Sequence, residues 1–270
     1  MKLSIYAALP IFFIVTSCGQ PTESGSNYTS YPLEVGNYWE YFTTNTLTGE
    51  TVRVHVQIDR RELLKNSLDT YVFKISSSPN QAFSEEYYTQ KTGGLYCVAY
   101  NNTGAAPNVQ PKLKSKAYLR FRNRIYTDIA ELLEDISPGQ RNMMFRIMAD
   151  SLNYESEPVC VLKYPLYLNS QWIYRSAPWR IEKRVEQSGD ISVPAGDFSG
   201  YIIRWLYDIN NDRVWDDDIY IIDFAAGEGL IQREVFIFDI IATDEDGHEI
   251  ARYDFYEKSI LTNYYIKDNI

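Results

Sequence analysis

The chain has 270 residues, with 36 acidic against 26 basic side chains and a formal charge of −10. That balance argues against a nucleic-acid partner, because binding phosphates needs a basic stripe. Its 23 tyrosines, together with many β-branched residues, favour strands over helices.

At the start, Lys2 precedes an apolar run from Ile5 to Val15 that Pro10 interrupts. The run falls short of the roughly 20 residues needed to cross a bilayer, so residues 1–17 read as a signal peptide. Residues 18–30 are polar and poor in large apolar side chains, the composition of a flexible tether. Between them, Val15-Thr16-Ser17-Cys18 resembles the lipobox of bacterial lipoproteins. The resemblance implies a diacylglyceryl group on the Cys18 sulfur, cleavage before Cys18 and acylation, as by palmitate, of the new amino terminus. Several acyl chains together give stable anchoring to a membrane. Gly19 stands where an aspartate would favour the inner membrane, so the resemblance implies the outer membrane.

Residues 31–111 read as a first β module. They open with "YPLEVGNYWEY", and "YPLYLNSQWIY" repeats the phrase 133 residues later at residues 164–174. Pro32 and Pro165 favour an extended lead-in. Gly36 and Asn169 follow at the same spacing, and both residue types take positive φ readily. Trp39 with Tyr41, and Trp172 with Tyr174, then share one face of a strand. A second echo pairs Gly93-Gly94-Leu95 with Gly227-Glu228-Gly229-Leu230. Two echoes in the same order predict two tandem related antiparallel modules, a mainly β fold.

Residues 112–160 read as a strand plus a short helical insertion. Arg120, Arg122 and Arg124 fall on one face of the predicted strand, either an anionic contact or a solvated face paired to acidic neighbours. Ile129, Leu132, Leu133 and Ile136 then recur at helical spacing, with Thr127 or Asp128 able to cap. Residues 141–152 are expected to add a second short helix. Residues 161–270 form the second β module. Cys97 and Cys160 either bridge, as an oxidising compartment allows, or stay as buried thiols.

In the second module "DINNDRVWDDD" places Asp208, Asn210, Asp212 and Asp216 at positions one, three, five and nine of a calcium loop, with Val214 supplying a carbonyl at seven. Arg213 and Ile219 depart from that pattern. The alternative is a polar hairpin loop between two strands, where Asn and Asp are favoured as turn formers.

Pro32-Leu33-Glu34-Val35-Gly36-Asn37-Tyr38-Trp39-Glu40-Tyr41, Val193-Pro194-Ala195-Gly196-Asp197-Phe198 and Gly227-Glu228-Gly229-Leu230 resemble motifs of a large group of uncharacterised bacterial lipoproteins. The resemblance implies a curved antiparallel sheet, similar to that of the periplasmic lipoprotein carriers, and brings no catalytic residues. His55 falls on a polar strand face and His248 after a turn, and no nucleophile, metalloprotease or phosphate-loop pattern occurs. The expected function is a non-enzymatic envelope protein that binds a small hydrophobic or glycan ligand. A structural or assembly role with a protein partner is the alternative, and a hydrolase built on two carboxylates a third.

Overall fold

The computed structural model describes residues 28–46, 49, 51–65, 67–78, 83–102, 118–136 and 149–267. The expected signal peptide, Cys18 and the tether up to residue 27 lie outside the described residues. In chain order the elements are β1 (Tyr38–Asn45), β2 (Thr51–Leu64), β3 (Leu68–Ser78), β4 (Phe83–Lys91), β5 (Gly94–Asn102), β6 (Tyr118–Phe121), β7 (Arg124–Tyr126) and α1 (Ile129–Ile136). There follow β8 (Ala149–Lys163), β9 (Gln171–Arg175), β10 (Arg180–Val193), β11 (Gly196–Asp208), β12 (Ile219–Ala226), β13 (Gly229–Thr243) and β14 (Glu249–Tyr265).

Twelve strands follow one another in the order β8-β5-β4-β3-β2-β1-β14-β13-β12-β11-β10-β9, antiparallel throughout. This is a curved, nearly closed barrel of two six-strand meanders. The first runs from β1 to β5 and ends with β8, and the second runs from β9 to β14. One joint between them, β1 with β14, is a full ladder from Tyr38↔Tyr265 to Asn45↔Glu257. At the other joint β8 and β9 approach without a ladder, and side chains cross the seam.

Strand alternation sets the interior. Ile231, Val235 and Ile237 of β13 are buried at every second position, as are Ile219, Ile221 and Ala225 of β12. Both repeated phrases behave alike. Gly36 and Asn169 take φ of 97° and 64°. Gly36 N–H donates to Ile58 O (2.8 Å) and Asn169 N–H to Val185 O (2.9 Å). Ile58 N–H and Val185 N–H return the bond to Asn37 O and Ser170 O, each at 2.9 Å. A register shift follows at Ile58/Arg60 in one meander and at Val185/Gln187 in the other. Trp39, Tyr41, Trp172 and Tyr174 are all buried. The two phrases share turn conformation and hydrogen bonds, and differ in the cis peptide at Tyr164-Pro165.

The insertion departs from expectation in three places. The predicted arginine strand is a hairpin, because Arg122 turns the chain at φ 53° between β6 and β7. β6 pairs with the end of β13, Arg120 opposite Ile241. Residues 137–148 lie outside the described residues, and from Ala149 the expected second helix is strand instead. The expected boundary between residues 160 and 161 therefore falls inside β8, which completes the first meander. The helix itself is as predicted. Asp128 Oδ1 accepts from Glu131 N–H (2.9 Å), and Glu131 accepts from Thr127 N–H (2.7 Å), a reciprocal cap. Ile129, Leu132, Leu133 and Ile136 are fully buried in the core, and Tyr207 OH caps Ile136 O at 2.7 Å.

At the opposite end, residues 28–37 form a strap across the mouth of the barrel. Tyr28 OH donates to Ser199 O (2.6 Å), and the Tyr31 ring packs 5.5 Å from Trp39 and 6.0 Å from Phe73. The end of the expected tether is thus packed onto the barrel at Tyr28. Gly227 and Gly229 make room for it. A Cβ at Gly227 would stand 2.4 Å from the Tyr28 ring, and one at Gly229 2.8 Å from the Tyr31 hydroxyl.

Candidate functional site

Four charged side chains occupy inward positions that alternation reserves for apolar residues. Lys183 lies between Ile181 and Val185, Asp223 between Ile221 and Ala225, Arg233 between Ile231 and Val235, and Glu257 between Phe255 and Ser259. All four are buried. Arg233 Nε and Nη2 donate to Asp223 Oδ1 and Oδ2 at 2.7 and 3.0 Å, and Trp205 Nε1 donates to Oδ2 at 2.8 Å. Lys183 Nζ sits 3.7 Å from the same carboxylate and 3.9 Å from the centroid of the Trp205 ring. It also crosses the seam to donate to Val161 O on β8 at 2.9 Å.

Burial dominates the proton affinities here. It pushes the Lys183 ammonium down to about 7, with Asp223 pulling the other way. Burial alone would raise Asp223, but Arg233 and then Lys183 outweigh it and hold the carboxyl below its ordinary value. Glu257 rises to about 8 because burial exceeds the pull of Arg233, and its Oε2 has no hydrogen-bond partner among the described residues.

Between this network and the strap lies a cavity of about 110 Å³. Tyr31, Tyr41, Phe73 and Tyr88 line it, with aliphatic side chains such as Val56 and Leu95 between them. Three charged groups also line it: Glu86, Asp223 and Arg233. Glu86 Oε2 accepts from Tyr88 OH at 2.6 Å, and among the described residues Glu86 makes no ion pair. The charges at Glu86, Lys183, Asp223, Arg233 and Glu257 are not among the residues the motifs single out. Their sequence signal is a charge standing in the apolar phase of an alternating strand, as in Ile231-Gln232-Arg233-Glu234-Val235.

The residues expected to carry chemistry are placed elsewhere. Cys18 lies outside the described residues. Cys97 and Cys160 are free thiols on neighbouring strands. Tyr96 is opposite Cys160 and Cys97 opposite Val159, so alternation turns the two sulfurs to opposite faces. Of the two alternatives for this pair, free thiols are the one the structure has.

The segment read as either a calcium loop or a polar hairpin loop is the β11–β12 hairpin loop, and its carboxylates accept from the partners that follow. Asp208, 1% exposed, accepts from Asp212 N–H (3.0 Å) and Arg213 N–H (3.1 Å). Asp212 Oδ1 accepts from Val214 N–H at 2.9 Å. Asp216 takes Ile209 N–H at 2.8 Å and, on its other oxygen, Arg122 Nη2 at 2.7 Å. Asn210 and Val214 complete a turn with positive φ at Asn211 and Arg213. Among the described residues the loop's acids do not gather their oxygens as a metal site requires. The group that does is Asp244, Asp246 and His248 in the exposed β13–β14 turn, where Asp244 Oδ1 already accepts from both neighbouring N–H groups.

The arginines also find acids. Arg122 binds Asp216 and Asp218, while Arg124 binds Asp135 at 2.6 Å and lies over the Trp179 ring. Arg120 lies on β6 near Glu249, whose proton affinity it helps to lower. The three share no strand face, because the turn at Arg122 separates them. His55 stands 3.5 Å from Glu40 on the outer face, as expected of a structural histidine.

Fold and cavity together define a class: a nearly closed antiparallel barrel of two six-strand meanders, with a small cavity under an amino-terminal strap. No protein-family model matches the chain, and no curated protein matches it. Among solved structures, the chain is similar to a Bacteroides fragilis protein described as exported and of YmcC-like fold. The identity is 8% and the TM-score 0.40, over 88% of this chain and 99% of that one. It is also similar to a Parabacteroides distasonis protein described as a lipoprotein, with 12% identity and a TM-score of 0.37, over 89% and 100% of the two chains.

Proposed function

We propose that the chain is a non-enzymatic lipoprotein of the cell envelope, anchored to the outer membrane through Cys18, that takes a small ligand into the cavity under the strap. The observation that carries this reading is the cavity: four aromatic rings and three charged groups around a space otherwise apolar, the usual make-up of a ligand site. Its size narrows the ligand. A dry cavity of about 150 Å³ takes one benzene, so about 110 Å³ suits a handful of heavy atoms. The strap begins ten residues after Cys18, a reach of at most about 35 Å at roughly 3.5 Å per residue. The covered mouth is therefore held near the membrane surface. The matched turns, bulges and hydrogen bonds of the two meanders support an internal duplication as their origin.

A soluble Cys18→Ser protein tests the reading, by native mass spectrometry for a retained ligand and by melting against a small-molecule panel. Ala225→Leu, which fills the cavity from β12, should abolish any shift. Retention or shifts that survive Ala225→Leu place binding elsewhere, and a panel without any effect refutes the reading.

A second reading, an assembly role with a protein partner, is favoured by the seam. β8 and β9 are the ends of the sheet, and the exposed Tyr154, Tyr167, Leu168 and Ile173 flank them. The helix turns its apolar face into the core. Cross-linking from a photoreactive group at Ile173 in intact cells separates the readings, since only a docking role yields one specific adduct.

A further inference from the structure

We infer that the cavity is built for a small organic cation, an ammonium group seated against Glu86 and surrounded by the rings of Tyr31, Tyr41, Phe73 and Tyr88. The inference rests on the cavity being a ligand site and adds the class of ligand.

The charges decide the sign. Arg233 and Asp223 face each other through a two-pronged contact at 2.7 and 3.0 Å, so each cancels the other at the cavity wall. Lys183 does not line the cavity, and its Nζ is taken by Val161 O and the Asp223 carboxylate. Glu86 is different. It is 5% exposed, it lines the cavity, and the Tyr88 hydroxyl bound to its Oε2 is a neutral donor. A carboxylate taken out of water without a cation is costly. Of the charged groups lining the cavity, Glu86 is the one without an ion-pair partner among the described residues, and a ligand bearing one positive charge supplies that partner.

The rings point to the same ligand. Aromatic side chains attract cations through their negative faces, and cages of them recognise quaternary ammonium groups. Four such rings line this small space, and Phe73 and Tyr88 meet edge-on with centroids 4.7 Å apart. A neutral ligand of the same size would leave Glu86 buried and unmatched. An anion would find Arg233 already held by Asp223.

The test uses two probes of five heavy atoms each, tetramethylammonium and tert-butanol, on the soluble Cys18→Ser protein in matched sodium chloride. Calorimetric titration should give tetramethylammonium an affinity at least about tenfold above tert-butanol. Glu86→Gln should cut the cation's advantage several-fold, while its ligand-free melt and circular dichroism show an intact fold. Where Glu86→Gln does not fold, Phe73→Leu decides: it should weaken the cation several-fold and leave the alcohol unchanged. Equal affinity of both probes, or a cation preference indifferent to these variants, overturns the ligand class yet leaves a cavity that binds. Binding of neither probe, with a melt that Ala225→Leu does not alter for any compound of the panel, refutes the site as well.

Discussion

Trp39 and Trp172 hold corresponding places in the repeated phrase, and each donates its indole N–H to a backbone carbonyl of the other meander. Trp39 Nε1 reaches Glu228 O at 2.6 Å, in the β12–β13 hairpin, and Trp172 Nε1 reaches Cys160 O at 3.1 Å, on β8. In both places a buried indole brings area and a donor together across the boundary between the meanders. At the seam this matters more, because no ladder joins β8 to β9. Trp172→Phe keeps the ring and removes the donor, leaving a part-buried carbonyl unmatched at a cost of about 1–3 kcal/mol. Hydrogen exchange should quicken in β8 and β9 for Trp172→Phe, and in the β12–β13 hairpin for Trp39→Phe. A uniform rise over the whole barrel in both variants would contradict separate grips.

The strap gives a cleaner test, because one contact can be made and unmade. Gly227 has no positive φ, so Gly227→Ala introduces a steric conflict with the Tyr28 ring and little else. Overpacking of this kind costs about 1–3 kcal/mol where neighbours cannot yield. In a Tyr28→Ala background the same change should cost much less. Melting the four proteins of this cycle measures the coupling, and additive losses would mean that Tyr28 does not lie on Gly227 in solution.

Much of the fold was legible because period-two alternation is a local signal. Trp39, Tyr41, Trp172 and Tyr174 face inward as their spacing predicts, and the Gly-rich turns fall at β4–β5 and β12–β13. The cavity was not legible, since its walls join Tyr31, Glu86 and Arg233 from distant parts of the chain. Other misreadings had local causes. "RFRNR" alternates like a strand, yet Arg122 adopts the left-handed region usually left to glycine or asparagine. The spacing of the acids in "DINNDRVWDDD" left a cation loop and a plain hairpin loop both open, because it also suits side chains that hold a turn's own N–H groups.

That last distinction is measurable. Asp208→Ala strips the acceptor from two loop amides and leaves a small void, so it should lower stability by about 2 kcal/mol. Asp212→Ala, which frees a single exposed amide, should cost less than about 1 kcal/mol. Both should melt identically in calcium and in chelator. A calcium-dependent rise lost in Asp212→Ala would restore the cation loop.

Glu257 predicts an acid-side dependence. Its folded pKa of about 8 stands above the ordinary 4.5. The stability linked to holding its proton is complete below about 4.5 and is lost as pH rises through about 8. Glu257→Gln cannot titrate, so the difference in unfolding free energy, wild type minus variant, should fall across that window by at most about 1.4 kcal/mol per pH unit. Urea melts at several pH values read this directly. A constant difference would show that the carboxyl is hydrated in the folded protein.

Lys183 predicts the opposite slope at higher pH. Its folded pKa of about 7 lies below the ordinary 10.5 because burial disfavours the ammonium. The stability linked to its neutral form is complete above about 10.5 and is lost as pH falls to about 7, below which it is constant. Lys183→Met keeps length and apolar bulk but cannot titrate, and replacing a buried charge by a packed apolar side chain is often neutral or favourable. It also removes the donor that spans the seam to Val161 O. The two effects separate by pH. Near pH 7 the loss of the seam bond is offset by relief of the buried ammonium, so the variant should melt close to the wild type. Towards pH 9.5 the wild type sheds that proton and gains stability, while the variant stays flat and falls behind. Hydrogen exchange adds the second readout, with faster exchange around Val161 in the variant at both pH values. A stability difference that does not change between pH 7 and 9.5 would mean that the ammonium keeps its charge beside Asp223, and that the seam is held by an ion pair instead of a neutral amine.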